Sequence, residues 1–280
     1  MPASGGGGRF DFKNVSTGIA IAPHRSDTVE ANQVSVERAI RQMKERLAEP
    51  LDLDQLARIA AISKFHLVRV FDEITGTTPH HFLACLRVQR AKELLLQSGS
   101  SITDVCFAVG YNSLGTFSKT FGELVGVSPQ EFRALPQRLT AKQFATAIWR
   151  YLAARKRISG PVIEGVVEGP GRLKGFVFVG TFPRGVPLGV PVSGTVRIGC
   201  GKFRIARPAL PEFHLLAAFV PLSAKLAEMV VNLPISLVAS RRVPQGQETP
   251  PEKHPLRLRP LRPTDPPIVL ALPALPPLRG

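Results

Sequence analysis

Two stretches of this sequence place residues that could bind phosphate at the same relative positions. Residues 63–71 read SKFHLVRVF and residues 113–121 read SLGTFSKTF. Each stretch begins with a serine that can cap a helix, and a basic residue, Arg69 or Lys119, follows six positions later. A capped helix start directs free backbone N–H groups at an anion, and a nearby cation strengthens that attraction. The chemistry that these residues indicate is therefore the binding of a polyanion.

The two stretches lie in a unit that occurs twice. A shift of 50 positions aligns Leu67 with Phe117, Arg69 with Lys119, Phe71 with Phe121, Gly76 with Gly126, Pro79 with Pro129 and Phe82 with Phe132. Upstream a shift of 49 aligns Leu56 with Val105 and Ala61 with Gly110. Loops tolerate a one-residue difference between matched halves. The sequence therefore predicts the same small structural unit twice.

Each unit has the pattern of a helix, a tight turn and a second helix. The first helix of the first unit is predicted over LDQLARIA (53–60), and Ser63 is predicted to cap the second helix. Apolar spacing predicts that the second helices bury Leu67, Val70, Phe71 and Ile74 in the first unit, and Phe117, Thr120, Phe121 and Leu124 in the other. Small residues, Ala57 and Cys106, stand where the paired helices touch, so Cys106 is interpreted as a packed apolar residue.

The positions left outside decide what such a unit can contact. An exposed helix start with a cation, hydroxyl groups and apolar groups suits the major groove of DNA, where Arg can pair with guanine and an apolar group can meet a thymine methyl. The candidate DNA-binding residues are Ser63, Lys64, Phe65, Val68 and Arg69 in the first unit, and Ser113, Leu114, Gly115, Thr116, Ser118 and Lys119 in the second.

The segment between the units supports this interpretation. Residues 79–97 are predicted to form one helix, with Phe82, Cys85 and Leu86 facing inward. Nineteen residues span about 28 Å, close to the roughly 34 Å between successive major-groove faces of B-DNA. One chain could then place both second helices on one side of a duplex.

Residues 36–137 resemble the DNA-binding domain of AraC/XylS-type transcription regulators. The resemblance rests on SKFHLVRVFDEITGTTPHHFLACLRVQRAKELL and on SITDVCFAVGYNSLGTFSKTFGELVGVSPQEFR. It implies a seven-helix domain in which Phe65, Val68 and Arg69 match the base-contacting positions of the first reading helix. Leu114, Gly115, Ser118 and Lys119 match the corresponding positions of the second. Ala61 departs from the family because a turn glycine is common there, and a positive φ would strain it. Leu114 and Gly115 replace long polar side chains, so the second unit is expected to anchor phosphate through Lys119 more than to read bases.

Composition sets the surroundings of this domain. The net charge of +15 fits a polyanionic partner, and it divides between residues 36–160, with 18 bases and 11 acids, and residues 161–280, with 15 and 7. Residues 1–35 are rich in Gly and Ser and are interpreted as a flexible leader without a signal peptide. The three cysteines fit no zinc site or disulfide framework. A cytoplasmic protein without a membrane partner, metal or cofactor is expected.

The second half has a different character. A connecting helix is predicted over residues 138–160, and residues 161–280, with 20 of the 26 prolines, favour a small antiparallel β-sandwich. IVLALP (268–273) is interpreted as a closing edge strand. GKFRI (201–205) and FHLLA (213–217) resemble a phrase of transthyretin-like or carboxypeptidase regulatory-like sandwiches, with Phe213 where tyrosine is usual. The fold class expected is thus a multidomain one, an all-α paired helix-turn-helix domain followed by a β-sandwich.

No catalytic constellation accompanies these patterns. His214 and His254 are isolated, and Glu164 and Glu168 are interpreted as solvent-facing, so an enzyme is not expected. The sandwich is a candidate for sensing a small-molecule effector, for contacting a second copy or another protein, or for adding basic contacts to DNA. RNA polymerase is a further candidate partner of the protein. The main hypothesis is a sequence-specific transcription regulator. The alternative is an adaptor or architectural protein whose basic bundle binds DNA non-specifically or binds another partner.

Overall fold

The computed structural model describes residues 25–138, 160–187, 191–223, 234–244 and 255–269. A helical half precedes a β half, which confirms the predicted fold class. The helices are α1 (Arg25–Glu45), α2 (Leu53–Ala60), α3 (Lys64–Thr75), α4 (Pro79–Gln97), α5 (Ile102–Ala108), α6 (Leu114–Val125) and α7 (Pro129–Arg138). The strands are β1 (Val162–Glu168), β2 (Gly175–Phe182), β3 (Ser193–Ile198), β4 (Gly201–Ala206), β5 (Phe213–Pro221), β6 (Leu237–Val243), β7 (Leu256–Arg257) and β8 (Arg259–Pro260). No described helix is both long and apolar enough to cross a membrane.

Helix α4 joins two apolar cores, one for each helix-turn-helix unit. Its first turns contribute Phe82, Leu83 and Leu86 to a core shared with α1, α2 and α3. Its later turns contribute residues such as Val88 and Leu95 to a second core shared with α5, α6 and α7. Because one continuous helix belongs to both cores, it fixes the position of each second helix relative to the other.

Helix α1 shows that the predicted flexible leader (residues 1–35) is helical in its last part. It begins at Arg25, so residues 25–35 are helical, whereas residues 1–24 lie outside the described part of the chain. The extension is held by long-range packing and side-chain bonds: Asn32 Oδ1 lies 2.9 Å from His66 Nε2 on α3, and Gln33 donates to Glu37 over 2.8 Å. The Gly- and Ser-rich composition of the first residues gave no signal of a partner on α3.

The β half is built from two sheets with one apolar core between them. The strand order is β4-β1-β7 in one sheet and β3-β2-β5-β6-β8 in the other. Strand pairs are antiparallel except β1 with β7. Alternate residues of facing strands, such as Val177, Phe203 and Leu215, fill the core. This alternation produces a sandwich, as the period-two pattern of the sequence predicts.

The carboxy-terminal segment corrects the predicted edge strand. Ile268 and Val269 form no strand, and residues 270–273 of IVLALP lie outside the described chain. Val269 instead packs into the core of α4 to α7, and its carbonyl oxygen accepts a hydrogen bond from Lys92 Nζ over 3.0 Å. Val269 therefore fastens this end of the described chain to the helical half, and neither Ile268 nor Val269 belongs to a sheet.

A second contact joins the halves near the end of α3. The backbones of Gly76 and Gly185 approach so closely that a Cβ on Gly76 would lie 3.4 Å from Gly185. Arg184 Nη1 lies 3.2 Å from His81 Nδ1. Burial, together with this guanidinium, lowers the pKa of His81, so the neutral ring can accept a hydrogen bond from Arg184. The predicted connecting helix falls mostly on residues 139–159, outside the described chain.

Candidate nucleic-acid interface

The turn of the first unit holds a strained alanine. Asp52 and Gln55 form a capping box at the start of α2, which ends at Ala61 with φ 58° and ψ 36°. Ala61 is the one non-glycine residue with positive φ in the described chain. The Ala61 N–H donates to Arg58 and the Ile62 N–H to Ala57, so the left-handed turn satisfies the last carbonyls of α2. The strain expected at this position is therefore present.

The second unit makes its turn with glycine. Ser101 and Asp104 form a capping box for α5, and Gly110 has φ 85° where the first unit has Ala61. A Cβ on Gly110 would lie 2.8 Å from the carbonyl oxygen of Ala48. Glycine is needed here for two reasons, the positive φ and the close approach of the chain before α2.

Helix α3 begins as the sequence predicts and exposes its first turn. Ser63 Oγ accepts a hydrogen bond from the His66 N–H over 3.3 Å. Lys64 and Arg69 are exposed, Val68 is half-buried, and the Phe65 side chain is 80% exposed. Among the described residues, an aromatic ring so open to water has little packing role. It presents an apolar contact surface beside two cations.

The cations of α3 are held by acids of the helical half. Arg69 donates to Glu73 Oε1 over 2.8 Å and lies 3.2 Å from His66 Nδ1, while Lys64 lies 3.3 Å from Asp54. These pairs are exposed, and such surface pairs contribute about 0–1 kcal/mol each. The pairs orient the side chains of Arg69 and Lys64, and they are weak enough for both cations to move to a more strongly binding anion.

Helix α6 presents a different surface. Ser113 caps it by accepting from the Thr116 N–H over 3.4 Å. Leu114, Gly115 and Thr116 are exposed in the first turn, and Ser118 is half-buried. Exposed Lys119 makes no hydrogen bond or ion pair with any residue of the described chain. Its ammonium group can therefore approach an anion without first breaking an internal pair.

Several basic residues that composition counts toward a polyanion surface have structural partners instead. Arg87 donates to the carbonyls of Leu47 and Glu49, and Arg133 donates to Ser100. Lys92 is 1% exposed, and burial lowers its pKa to about 8. The effective basic surface is consequently smaller than the net charge suggests.

Both cysteines of the helical half are buried in its cores. Burial raises the pKa of Cys85 to about 12 and raises that of Cys106 as well. Cys106 Sγ approaches the Tyr111 carbonyl at 3.8 Å within the second core. This environment matches the interpretation of Cys106 as a small apolar residue between paired helices.

The structure places the candidate residues at the starts of α3 and α6, and it adds partners that the sequence analysis missed. Glu73 and His66 orient Arg69, and Asn32 in turn orients the His66 ring. The pairing of Arg69 with Glu73 had a sequence signal, because residues four apart on a helix are neighbours. The contact from Asn32 had none.

The helical half of this chain is similar to parts of known proteins. A family described as "Helix-turn-helix domain" matches residues 56–135. The MmsAB operon regulatory protein of Pseudomonas aeruginosa is 41% identical over 92 residues, which are 32% of this chain and 30% of that protein. The transcriptional regulator GbdR of the same species is 34% identical over 102 residues, which are 36% of this chain and 28% of GbdR. The chain thus spans less than a third of the length of these curated relatives.

Solved structures also resemble part of the chain. A transcriptional regulator with an AraC-type DNA-binding domain from Chromobacterium violaceum has 31% identity and a TM-score of 0.37, over 40% of this chain and 99% of that one. The DNA-binding domain of AdpA in complex with a target DNA has 30% identity and a TM-score of 0.36, over 37% and 95%.

Proposed function

We propose that this chain, whose residues 56–135 match a helix-turn-helix family, is a sequence-specific DNA-binding transcription regulator of the AraC type. The observation that supports this most directly is the pair of exposed helix starts on α3 and α6. Each follows a capping serine, and each carries a cation on its second turn, Arg69 or Lys119. We take residues 36–137 as the DNA-binding unit, with the added start of α1 as its support.

Helix α3 is proposed to read bases. A guanidinium can pair with O6 and N7 of guanine in a plane, and Arg69 is pre-oriented by Glu73 and His66. Phe65, exposed one turn earlier, offers an apolar surface to a thymine methyl group, and Val68 adds to it. Lys64 and the free N–H groups behind Ser63 then contact the flanking phosphates.

Helix α6 is proposed to anchor the second half-site. Its first turn offers the apolar Leu114, 42% exposed, and Gly115, neither of which can pair with a base edge. Lys119, Thr116 and the N–H groups behind Ser113 suit phosphate oxygens. With α4 between the units, both second helices can engage one duplex about one helical turn apart.

Partners follow from this role. A regulator bound to a promoter works in the compartment that holds the DNA, so we place this protein in the cytoplasm, with RNA polymerase as a candidate partner. The sandwich is proposed to serve a small-molecule effector or a second copy of the chain. No catalytic step is assigned to any described residue.

The division of labour between the two helices is tested by three variants. Arg69→Lys keeps the charge but loses the planar fork, so we expect discrimination against a wrong base to fall by about 1–3 kcal/mol. Lys119→Ala should weaken all sequences alike and reduce the salt slope by about 1. Arg204→Ala, an exposed arginine of the sandwich paired with Glu164, is the control and should change neither.

The assay is a binding titration of each variant against the preferred site and single-base changes of it, over a series of salt concentrations. Equal loss of discrimination in the Arg69 and Lys119 variants would contradict the assignment of reading to α3. Binding that depends on salt but not on sequence, in the unaltered protein, would favour the adaptor or architectural alternative.

A further inference from the structure

A cavity of about 360 Å³ lies between the end of α3 and the outer face of the five-stranded sheet. Its helical wall is the last turn of α3, residues 73–76, and a third wall comes from the carboxy-terminal segment around Leu261 and Ile268. This volume is within the range of roughly 300–1,000 Å³ that small-molecule sites occupy. The cavity thus has room for one small ligand at the junction of the two halves.

The floor of the cavity is an apolar patch on the outer face of the five-stranded sheet, the face that points away from the core between the two sheets. Phe178, Ala218 and Val238 lie side by side across three strands, because Phe178 pairs with Ala218 and Ala218 with Val238. All three are half-buried, whereas their neighbours along each strand face the core between the sheets. Leu216, two residues before Ala218, extends the patch.

Two arginines and one glutamate that line the cavity are already paired with groups of opposite charge. Arg242 donates to both carboxylate oxygens of Glu212, and Arg259 does the same to Asp265. Glu73, on the helical wall, holds Arg69. A charged ligand entering the cavity would lose water and find its opposite charges engaged elsewhere, which is costly in an apolar site.

Two polar groups remain to orient a ligand. Ser240, which pairs with Leu216 across the strands, makes no side-chain hydrogen bond within the described chain. His214 lies beside the Gly76–Gly185 contact, and burial lowers its pKa, so the ring is neutral at pH 7. One hydroxyl and one neutral imidazole suit a ligand with a single hydrogen-bonding group.

We infer that this cavity binds an uncharged, largely apolar small molecule with one hydrogen-bonding group, and that its occupancy adjusts α3. This inference deepens the proposed function and its regulatory part rests on it. The cavity wall includes Glu73, and Glu73 holds Arg69, so a ligand sits one helical turn from the proposed reading residue. Any shift of Glu73 changes how Arg69 is presented to DNA.

The first part of the inference, ligand binding, is tested with full-length protein in the absence of DNA. The probes are 1-naphthol, 1-naphthoate and 1-naphthylmethylammonium, which share a bicyclic ring and differ in charge at pH 7. We expect saturable binding of 1-naphthol in a fluorescence titration and about tenfold weaker binding of both ions. Equal affinity for all three probes would overturn the chemical class assigned to the cavity.

Cavity-filling variants locate the site. Ala218→Phe and Val238→Phe place a ring in the cavity from adjacent strands, and each should weaken 1-naphthol binding by about tenfold or more while the folded protein melts as a single population. Ala206→Phe is the matched control, because Ala206 ends β4 on the side of exposed Lys202 and Arg204. Unchanged binding in both filling variants, or equal loss in the control, would overturn the location.

The second part of the inference, regulation of DNA binding, is tested by measuring DNA affinity with and without the ligand. Saturating 1-naphthol should change the Kd for the preferred DNA site by about fivefold or more, and Ala218→Phe should abolish that change. Binding of 1-naphthol without any change in DNA affinity would overturn the coupling to α3 and leave the ligand site standing. A protein that binds 1-naphthol but shows no preferred DNA site would refute the proposed function instead.

Discussion

The left-handed alanine in the first turn gives a prediction in which two neighbouring substitutions have opposite signs. Ala61 has φ 58° and ψ 36°, a conformation that costs an L-residue about 1–2 kcal/mol relative to glycine. Glycine adds unfolded-state entropy worth about 0.4–1 kcal/mol against the folded state. Ala61→Gly should therefore stabilise the protein by about 0.5–1 kcal/mol, because the backbone hydrogen bonds of the turn do not use the side chain.

Ala60→Gly is the matched control, one residue earlier. Ala60 is helical and fully buried, so glycine there should destabilise by about 1 kcal/mol or more. Thermal unfolding of the full chain should show a rise of about 2 °C for Ala61→Gly and a fall for Ala60→Gly. DNA affinity should stay unchanged in the first variant. A lower melting temperature for Ala61→Gly would refute the left-handed turn.

Three further substitutions probe the junctions of the fold. Gly110→Ala combines a positive φ with a Cβ 2.8 Å from the Ala48 carbonyl, so chemical denaturation should show a loss of about 3 kcal/mol. Burial lowers the pKa of Lys92 from its usual 10.5 to about 8 in the folded protein. Between pH 8 and 10.5 the unfolded chain therefore binds more protons at Lys92 than the folded protein does. The free energy of unfolding should rise with pH over this range by up to about 3 kcal/mol. Lys92→Met should remove this rise, and an unchanged pH profile in that variant would disprove the burial of the charge. Gly185→Val brings a side chain within 3.2 Å of His214 and should lower the melting temperature by about 2–4 °C.

The helices with clear caps were predictable from the sequence. The bounds 53–60 and 79–97 and the cap at Ser63 match the structure because each depends on local signals: a capping side chain, a proline at the first turn, and apolar residues three and four apart. The duplication strengthened these predictions, since the second unit repeats the pattern of the first.

The misses share one physical cause, contact between segments far apart in the chain. The start of α1 depends on Asn32 meeting His66, and the course of Val269 depends on Lys92, 177 positions earlier. Periodicity in a short window carries no information about such partners. It predicted a strand at IVLALP because an apolar residue such as Val269 gives the same local pattern whether it lies in a sheet edge or packs against helices.

The candidate site was predictable in part. Exposure of Phe65, Arg69 and Lys119 follows from helical periodicity around the buried positions. The pairing of Lys64 with Asp54, on the preceding helix, required the actual crossing of α2 and α3. The cavity beside α3 was beyond prediction, because it is formed by two halves whose packing depends on Gly76, Gly185 and the carboxy-terminal segment.

The most direct test of the central claim is a selection from random duplex DNA with the full-length protein at physiological salt. We predict enrichment of an asymmetric site of roughly 20 base pairs, with a strongly specified cluster for α3 and a weaker cluster for α6 about one helical turn away. Measurable binding without enrichment of any sequence would contradict the account.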